Sequence, residues 1–360
     1  MYKKSQRYRS FYLLILIIIL LIISFPAAAL DIGGKASFKS DIVYENSEWE
    51  NKIISELEMQ LFLPEERGIS LENLLLLTVE SDEVKLDAKK LYLKKNIGAL
   101  TAKIGRQPVS WAYGSLINPI DYTLGAENLE EETMAKFVDA VELYYPINWK
   151  SGLTLVGSDQ EDQSENKWGF RGRTMLAGYD ISANYIIENR EDDEIKRWAL
   201  NTKGDLGPLG IYGAAGKADI SSNRGDYKYN IFQLGSDYSY NFLSGRRLYI
   251  QAEYINFNLG PDVKRDQKFD LLPDMEIEID DRKAEFIAAN LTWDIDDFSS
   301  VGLMTVNYLE DGSSMFIPSY NYYFSSNLLL ELRGTIFVGS RGKLFGEEIR
   351  ALEMNLSYTF

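Results

Sequence analysis

The last eleven residues, Arg350-Ala351-Leu352-Glu353-Met354-Asn355-Leu356-Ser357-Tyr358-Thr359-Phe360, alternate without a break. Leu352, Met354, Leu356, Tyr358 and Phe360 share one face, and Ala351, Glu353, Asn355, Ser357 and Thr359 share the other. Successive side chains of an extended chain point to opposite sides, so this period of two predicts a strand with one apolar and one wetted face. The apolar face of such a strand covers either a core or a lipid phase. Which of the two applies depends on how often the pattern recurs.

It recurs along most of the chain. From Asp31 onward, short apolar-polar runs alternate with polar turns, with no long helix and no Pro/Gly-rich boundary, which predicts one all-β domain. About eighteen strands are expected, the first at Lys35 to Tyr44, the fifth at Gly98 to Arg106 and the last at Ile349 to Phe360. One missed or split hairpin would make sixteen or twenty. Counting connections alternately puts short turns on one side. The other side holds the two longest loops, Gln107 to Lys136 and Asn258 to Arg282, an asymmetry expected of membrane barrels. In Leu328 to Val338 the expected outward set is Leu330, Leu332, Gly334, Ile336 and Val338, with Glu331, Arg333 and Thr335 inward. In Arg247 to Tyr254, Leu248, Ile250, Ala252 and Tyr254 oppose Gln251 and Glu253. The period stutters at Lys89-Lys90, where a bulge is expected. A soluble sandwich would have to cover more than three hundred residues of half-polar strand with cores sized for 100 to 200 residues each.

The start of the chain reads differently. Lys3, Lys4, Arg7 and Arg9 precede an apolar run from Phe11 to Phe25, and Ala27-Ala28-Ala29 follows. A basic segment, an apolar segment and small residues predict a signal peptide over 1–29 and a barrel domain over 30–360; an uncleaved anchor is the alternative. No other apolar run reaches helix-spanning length, so any further span must be made of strands. The whole chain has net charge −16; removing the leader's four basic residues, with no acidic ones, takes the remainder to −20. This balance argues against nucleic acid as a partner and favours cations among solutes. Cys and His are both absent. Disulfides, Ser-His-Asp triads and His-based zinc sites are therefore excluded, no cofactor is expected, and an enzyme is disfavoured.

A terminal aromatic on an amphipathic strand resembles the C-terminal signature of bacterial outer-membrane β-barrel proteins. That resemblance implies an outer-membrane location and lipid contacts, with Phe360 read by the barrel-assembly machinery. The stretch Ile104-Gly105-Arg106-Gln107-Pro108-Val109-Ser110-Trp111-Ala112-Tyr113-Gly114-Ser115-Leu116-Ile117-Asn118-Pro119-Ile120-Asp121-Tyr122 resembles porins of the alginate-export and related substrate-porin type. The resemblance implies a transmembrane antiparallel up-and-down barrel that passes small hydrophilic solutes or ions. A polyanion exporter would need a basic passage, and the net charge departs from that.

The loop after the fifth strand is too long for a hairpin and is expected to narrow the lumen. Charged side chains facing one another across such a lumen select solutes by charge and size. The candidates for that role are Lys103, Arg106, Trp111, Tyr113, Asn118, Asp121, Asp87, Glu253, Glu331, Arg333 and Glu353. Trp111, Tyr113 and Asn118 to Asp121 would equally serve to pin the loop. Acidic groups at Glu161-Asp162, Glu191 to Glu194, and Glu276, Glu278, Asp280 and Asp281 have oxygen donors for a divalent cation but no EF-hand spacing; they read as solvated loops, and no metal site is expected. The leading expectation is a passive porin. The competing ones are a structural or adhesive barrel with a closed lumen and an outer-membrane hydrolase, the last disfavoured by the missing His.

Overall fold

The computed structural model describes residues 31–45, 48–80, 83–109, 111, 116, 137–160, 165–189, 193–222, 226–259, 267–272, 275–279, 283–340, 343–346 and 350–360. The expected leader lies outside them. The strands are β1 (Asp31–Glu45), β2 (Glu48–Phe62), β3 (Ile69–Glu80), β4 (Glu83–Ile97), β5 (Leu100–Pro108), β6 (Phe137–Pro146), β7 (Ser151–Gln160), β8 (Glu165–Leu176), β9 (Tyr179–Asn189) and β10 (Asp193–Leu206). They continue as β11 (Leu209–Ser222), β12 (Tyr227–Asn241), β13 (Arg247–Leu259), β14 (Gln267–Leu272), β15 (Met275–Ile279), β16 (Lys283–Asp294), β17 (Ser299–Tyr308), β18 (Ser313–Ser325), β19 (Leu328–Val338) and β20 (Arg350–Thr359).

Eighteen of these form one closed antiparallel barrel, and each of the expected runs is one of its strands. Closure is made by β20 on β1, where Phe38 pairs with Leu356 and Lys39 with Asn355, and Phe360 exchanges backbone hydrogen bonds of 3.0 Å with Gly34. A closed sheet leaves no edge with unpaired amides, as a hydrocarbon phase requires. The remaining two strands, β14 and β15, pair only with each other inside the loop between β13 and β16, an addition that the sequence pattern did not yield.

The outward faces are apolar. Leu352, Met354, Leu356, Tyr358 and Phe360 are all exposed on β20, as are Leu200, Leu234, Ile250 and Leu291 on their strands. In water so continuous an apolar belt would be an aggregation surface; in a bilayer it is the lipid contact of a transmembrane barrel. Short turns close one rim. Between β8 and β9 the turn is Ala177-Gly178, both with positive φ (52° and 86°), the two-residue geometry whose twist matches the flanking strands. β1 begins and β20 ends at this rim, and the long loops lie at the other.

The expected bulge is present. Leu74 pairs with Lys90 and Leu75 with Ala88, so Lys89 is the extra residue. Lys89 Nζ reaches Glu58 Oε1 at 3.0 Å and Lys90 is buried, so the bulge turns adjacent lysines inward, which a regular strand cannot do. The interior departs from a uniformly polar lumen. Toward the long-loop rim of β10 to β18, the inward residues Ile231, Ile255, Phe257, Ala284, Phe286, Val306 and Met315 form one buried apolar cluster.

Candidate pore interior

Alternation in β8 points Lys167, Arg171 and Arg173 inward, opposite Ser158, Thr154 and Gly152 of β7, while Trp168 and Phe170 face outward. Glu188 on β9 is 0% exposed and lies between Lys167 Nζ at 3.4 Å and Arg197 Nη1 of β10. A buried carboxylate needs such pairing, because desolvation alone would cost several kcal/mol. Nearer the short-turn rim Arg173 pairs with Asp180 and Lys103 with Glu142 at 2.9 Å. Asn184 and Asn201 continue the same wall.

Trp111 packs on this wall. Its ring covers Gly169, where a Cβ would lie 2.5 Å from the indole, and it clusters with Val109, Val138, Ala140, Val156 and Ile186. Its carbonyl accepts hydrogen bonds from Asn184 Nδ2 at 3.1 Å and Asn201 Nδ2 at 3.0 Å. Below it a cavity of about 430 Å³ lies among Lys103, Glu142, Tyr144, Arg171, Arg173 and the turn residues Trp149 and Lys150.

Glu253 on β13 makes the second anchor. It is 2% exposed and accepts from the Leu116 amide at 2.9 Å, Tyr212 Oη at 2.6 Å and Gln233 Nε2 at 3.1 Å. Tyr212 Oη in turn accepts from Gln251 Nε2 at 2.7 Å. β13 is nearly opposite β5 in the ring. Eight residues beyond Pro108 the chain therefore meets the other side of the interior, close to the reach of an extended segment of that length.

A third segment enters from the last loop. In the β17–β18 turn, Asp311 accepts from the Ser313 amide at 2.6 Å and the Leu344 amide at 2.7 Å, and its carbonyl accepts from Lys343 Nζ. Phe345 N donates to Ser313 Oγ at 3.2 Å, and the Phe345 ring meets Phe337 edge-on at 5.4 Å. Phe345 belongs to the apolar cluster, against which Leu116 also packs. Burial pushes the Asp311 carboxyl up, but hydrogen bonds from Ser313 and the Leu344 amide, with the Lys343 charge, outweigh it and hold the group below its ordinary value.

Of the residues singled out in the sequence, Lys103, Trp111 and Glu253 lie in these clusters. Asp87 faces inward beside Lys85 at 3.1 Å. Glu331, Arg333 and Glu353 form an inward group near the β1–β20 seam, with Arg333 and Glu353 3.9 Å apart and Asn355 Nδ2 donating to Glu331 Oε2 at 2.7 Å. Arg106 is a correction. β5 and β6 pair without a bulge, so Lys103 and Gln107 face inward and Arg106 shares the outward face with Ile104. Three residues apart, Lys103 and Arg106 cannot both face the lumen on a regular strand. Arg106 instead pairs with the exposed Asp139 at 3.1 Å. Tyr113, Asn118 and Asp121 lie outside the described residues.

Arg171, Arg173, Glu188 and Arg197 were missed. Their signal was present in β8, where Lys167, Gly169, Arg171 and Arg173 share one parity against Trp168 and Phe170. No group of three potential metal ligands occurs among the described residues.

No protein-family model and no curated protein matches the chain. Solved structures do. Pseudomonas aeruginosa OccK5 (OpdH) superposes with a TM-score of 0.63 at 12% identity, over 92% of this chain and 98% of that one. OccK11 (OpdR) from the same organism gives 0.62 at 11% identity, over 92% and 96%. OccK2 (OpdF), solved with glucuronate, gives 0.60 at 10% identity, over 92% and 96%. The fold is that of outer-membrane porins.

Proposed function

We propose that this chain is a passive porin of the outer membrane. In this reading small hydrophilic solutes diffuse through the barrel past the segment that follows β5, which narrows the lumen. The observation that carries the narrowing is the pair of anchors on one short segment: the Trp111 carbonyl on β9 and β10 and the Leu116 amide on β13. Solutes then pass between the charged wall of β8 to β10 and the apolar cluster, a passage whose local field decides selectivity. Lys103, Lys167, Arg171, Arg173 and Arg197 concentrate positive charge there. The proposal is therefore that the pore favours small anions, in place of the cations that the net charge pointed to. The OccK2 complex with glucuronate is in keeping with a small acidic solute. The finer likeness to alginate-export porins rests on 104–122, mostly outside the described residues, and the basic strip is the feature that fits it.

Single-channel recording in a planar bilayer under a salt gradient tests this. Stable open steps with an anion-selective reversal potential are expected, with a larger step after deletion of residues 114–132. The competing reading, a barrel closed by its loops, draws on Leu116, Leu344 and Phe345 packed on the inner wall. Insertion without current would establish it and refute the porin.

A further inference from the structure

The cavity beneath Trp111 holds more positive charge than its own acids neutralise. Among the described residues its lining carries Lys103, Lys150, Arg171 and Arg173 against Glu142 and Asp180. Both acids are engaged, Glu142 by Lys103 at 2.9 Å and Asp180 by Arg173. Four cations against two acids leave an excess of two positive charges, inside a chain whose net charge is −16.

Three neighbouring strands bring the polar groups of this wall into one row. Tyr144 of β6 pairs with Thr154 of β7, and Thr154 pairs with Arg171 of β8. One inward position nearer the short-turn rim, Gly152 pairs with Arg173. Paired strands lie about 4.8 Å apart, so two hydroxyls and two guanidinium groups share one small area, all of them donors. Gly152 lets the Tyr144 phenol lie against this wall, since a Cβ there would sit 2.5 Å from the ring and 2.6 Å from its oxygen. At the mouth the β6–β7 turn is fixed by the Lys150 amide, which donates to Asn148 Oδ1 at 2.8 Å, and by the Ile147 amide, which donates to the Ser151 carbonyl at 2.9 Å. Lys150 Nζ lies 4.6 Å from the centroid of the Trp149 ring. The volume of about 430 Å³ is that of a small-molecule site. It has room for an organic group beside an anionic one.

We propose that this cavity is a binding site for a phosphomonoester entering from the short-turn side, its phosphate on the Arg171–Arg173 step and its organic part between Tyr144 and Trp149. The proposal rests on the anion-passing reading above. A phosphomonoester fits because its charge, close to −2 above about pH 7, matches the excess, and because its oxygens accept where the wall donates. A monocarboxylate leaves one positive charge unanswered.

The test is block of single-channel current in a planar bilayer by glucose 6-phosphate added on the short-turn side, against glucuronate as a monoanion of similar size. At pH 7.5 the half-blocking concentration of glucose 6-phosphate is expected about tenfold below that of glucuronate, the worth of one further charge-assisted hydrogen bond. Lowering the pH to 5 turns most of the ester into its monoanion, its second pKa being about 6. The half-blocking concentration of glucose 6-phosphate should then rise about tenfold while that of glucuronate stays. Arg171→Gln should abolish the difference between the two ligands, and Lys283→Gln, outward beside Glu285, should leave it. Circular dichroism and open-channel current in potassium chloride confirm that each variant is folded and inserted. Equal block by the two ligands at pH 7.5, or a difference that survives at pH 5 or in Arg171→Gln, overturns the site while an anion-selective reversal potential leaves the porin reading standing. A cation-selective reversal potential refutes that reading and the site with it.

Discussion

Replacing Glu253 tests how the segment after β5 is held. Its Oε1 takes both the Leu116 amide and the Tyr212 hydroxyl, and its Oε2 takes Gln233. A hydrogen bond to a charged acceptor is worth about 1.5–3 kcal/mol and a neutral one about 0.5–1.5. Glu253→Gln keeps the shape and an acceptor oxygen but removes the charge, weakening the Leu116 tether by roughly 1 kcal/mol, or about fivefold in the held-to-released ratio. Glu253→Ala removes the tether, about 10- to 150-fold on the same scale, and leaves Tyr212 and Gln233 to find other acceptors. Single-channel recordings should show growing occupancy of a larger, noisier current level in the order wild type, Gln, Ala. If both variants insert normally and keep the wild-type current and noise, then either Glu253 does not hold the segment or the segment does not limit the current. The reasoning fails in both cases.

The last loop should release under acid. The folded Asp311 carboxyl titrates below its ordinary 3.8, so its stabilisation is complete at neutral pH and is lost as pH falls below that value through the folded one. Wild-type protein should therefore keep Lys343 protected from trypsin at pH 7, Asp311→Asn should expose it there, and wild-type current should change only below about pH 4. Gly169→Ala puts a methyl 2.5 Å from the Trp111 ring, and urea unfolding should show about 1–3 kcal/mol of destabilisation. A double-mutant cycle with Trp111→Ala should recover most of it; additive effects would mean that the two do not touch. Arg171→Gln with Arg173→Gln should move the reversal potential toward cations, and no shift would remove these residues from the solute path.

The barrel was legible because its information is local. Parity along β20 alone separates Leu352 and Leu356 from Glu353 and Asn355, and the pairings with β1 and β19 keep those faces. Even the irregularity at Lys89 announced itself, since two adjacent lysines break a period of two. The interior was less legible, because what fills it comes from residues distant in sequence. Leu116 and Glu253 are 137 positions apart, and nothing in the pattern around either names the other. Phe345 sits in a short loop with no periodicity, and its burial follows from the Asp311 turn. Arg106 shows the limit from the other side: it was placed in the lumen together with Lys103, although parity on one strand allows only one of the two there, and the pairing of β5 with β6 selects Lys103.

Net charge and the wall of β8 to β10 point to opposite signs for a related reason. A sum over the chain counts loops and walls alike, yet a permeating ion responds to charges within about a Debye length, roughly 8 Å at physiological salt. Outside the strands the acidic runs Glu161-Asp162 and Glu191-Asp192 weigh heavily in the total. On the inner wall of β8 to β10, by contrast, acids are matched or outnumbered: Glu188 faces both Lys167 and Arg197, and Arg171 and Arg173 stand beside one Asp180. On the proposed reading, the field at β8 to β10 therefore opposes the sign of the whole protein. If that reading holds in the bilayer, selectivity follows from the parity of a few strands, β8 to β10, and not from composition.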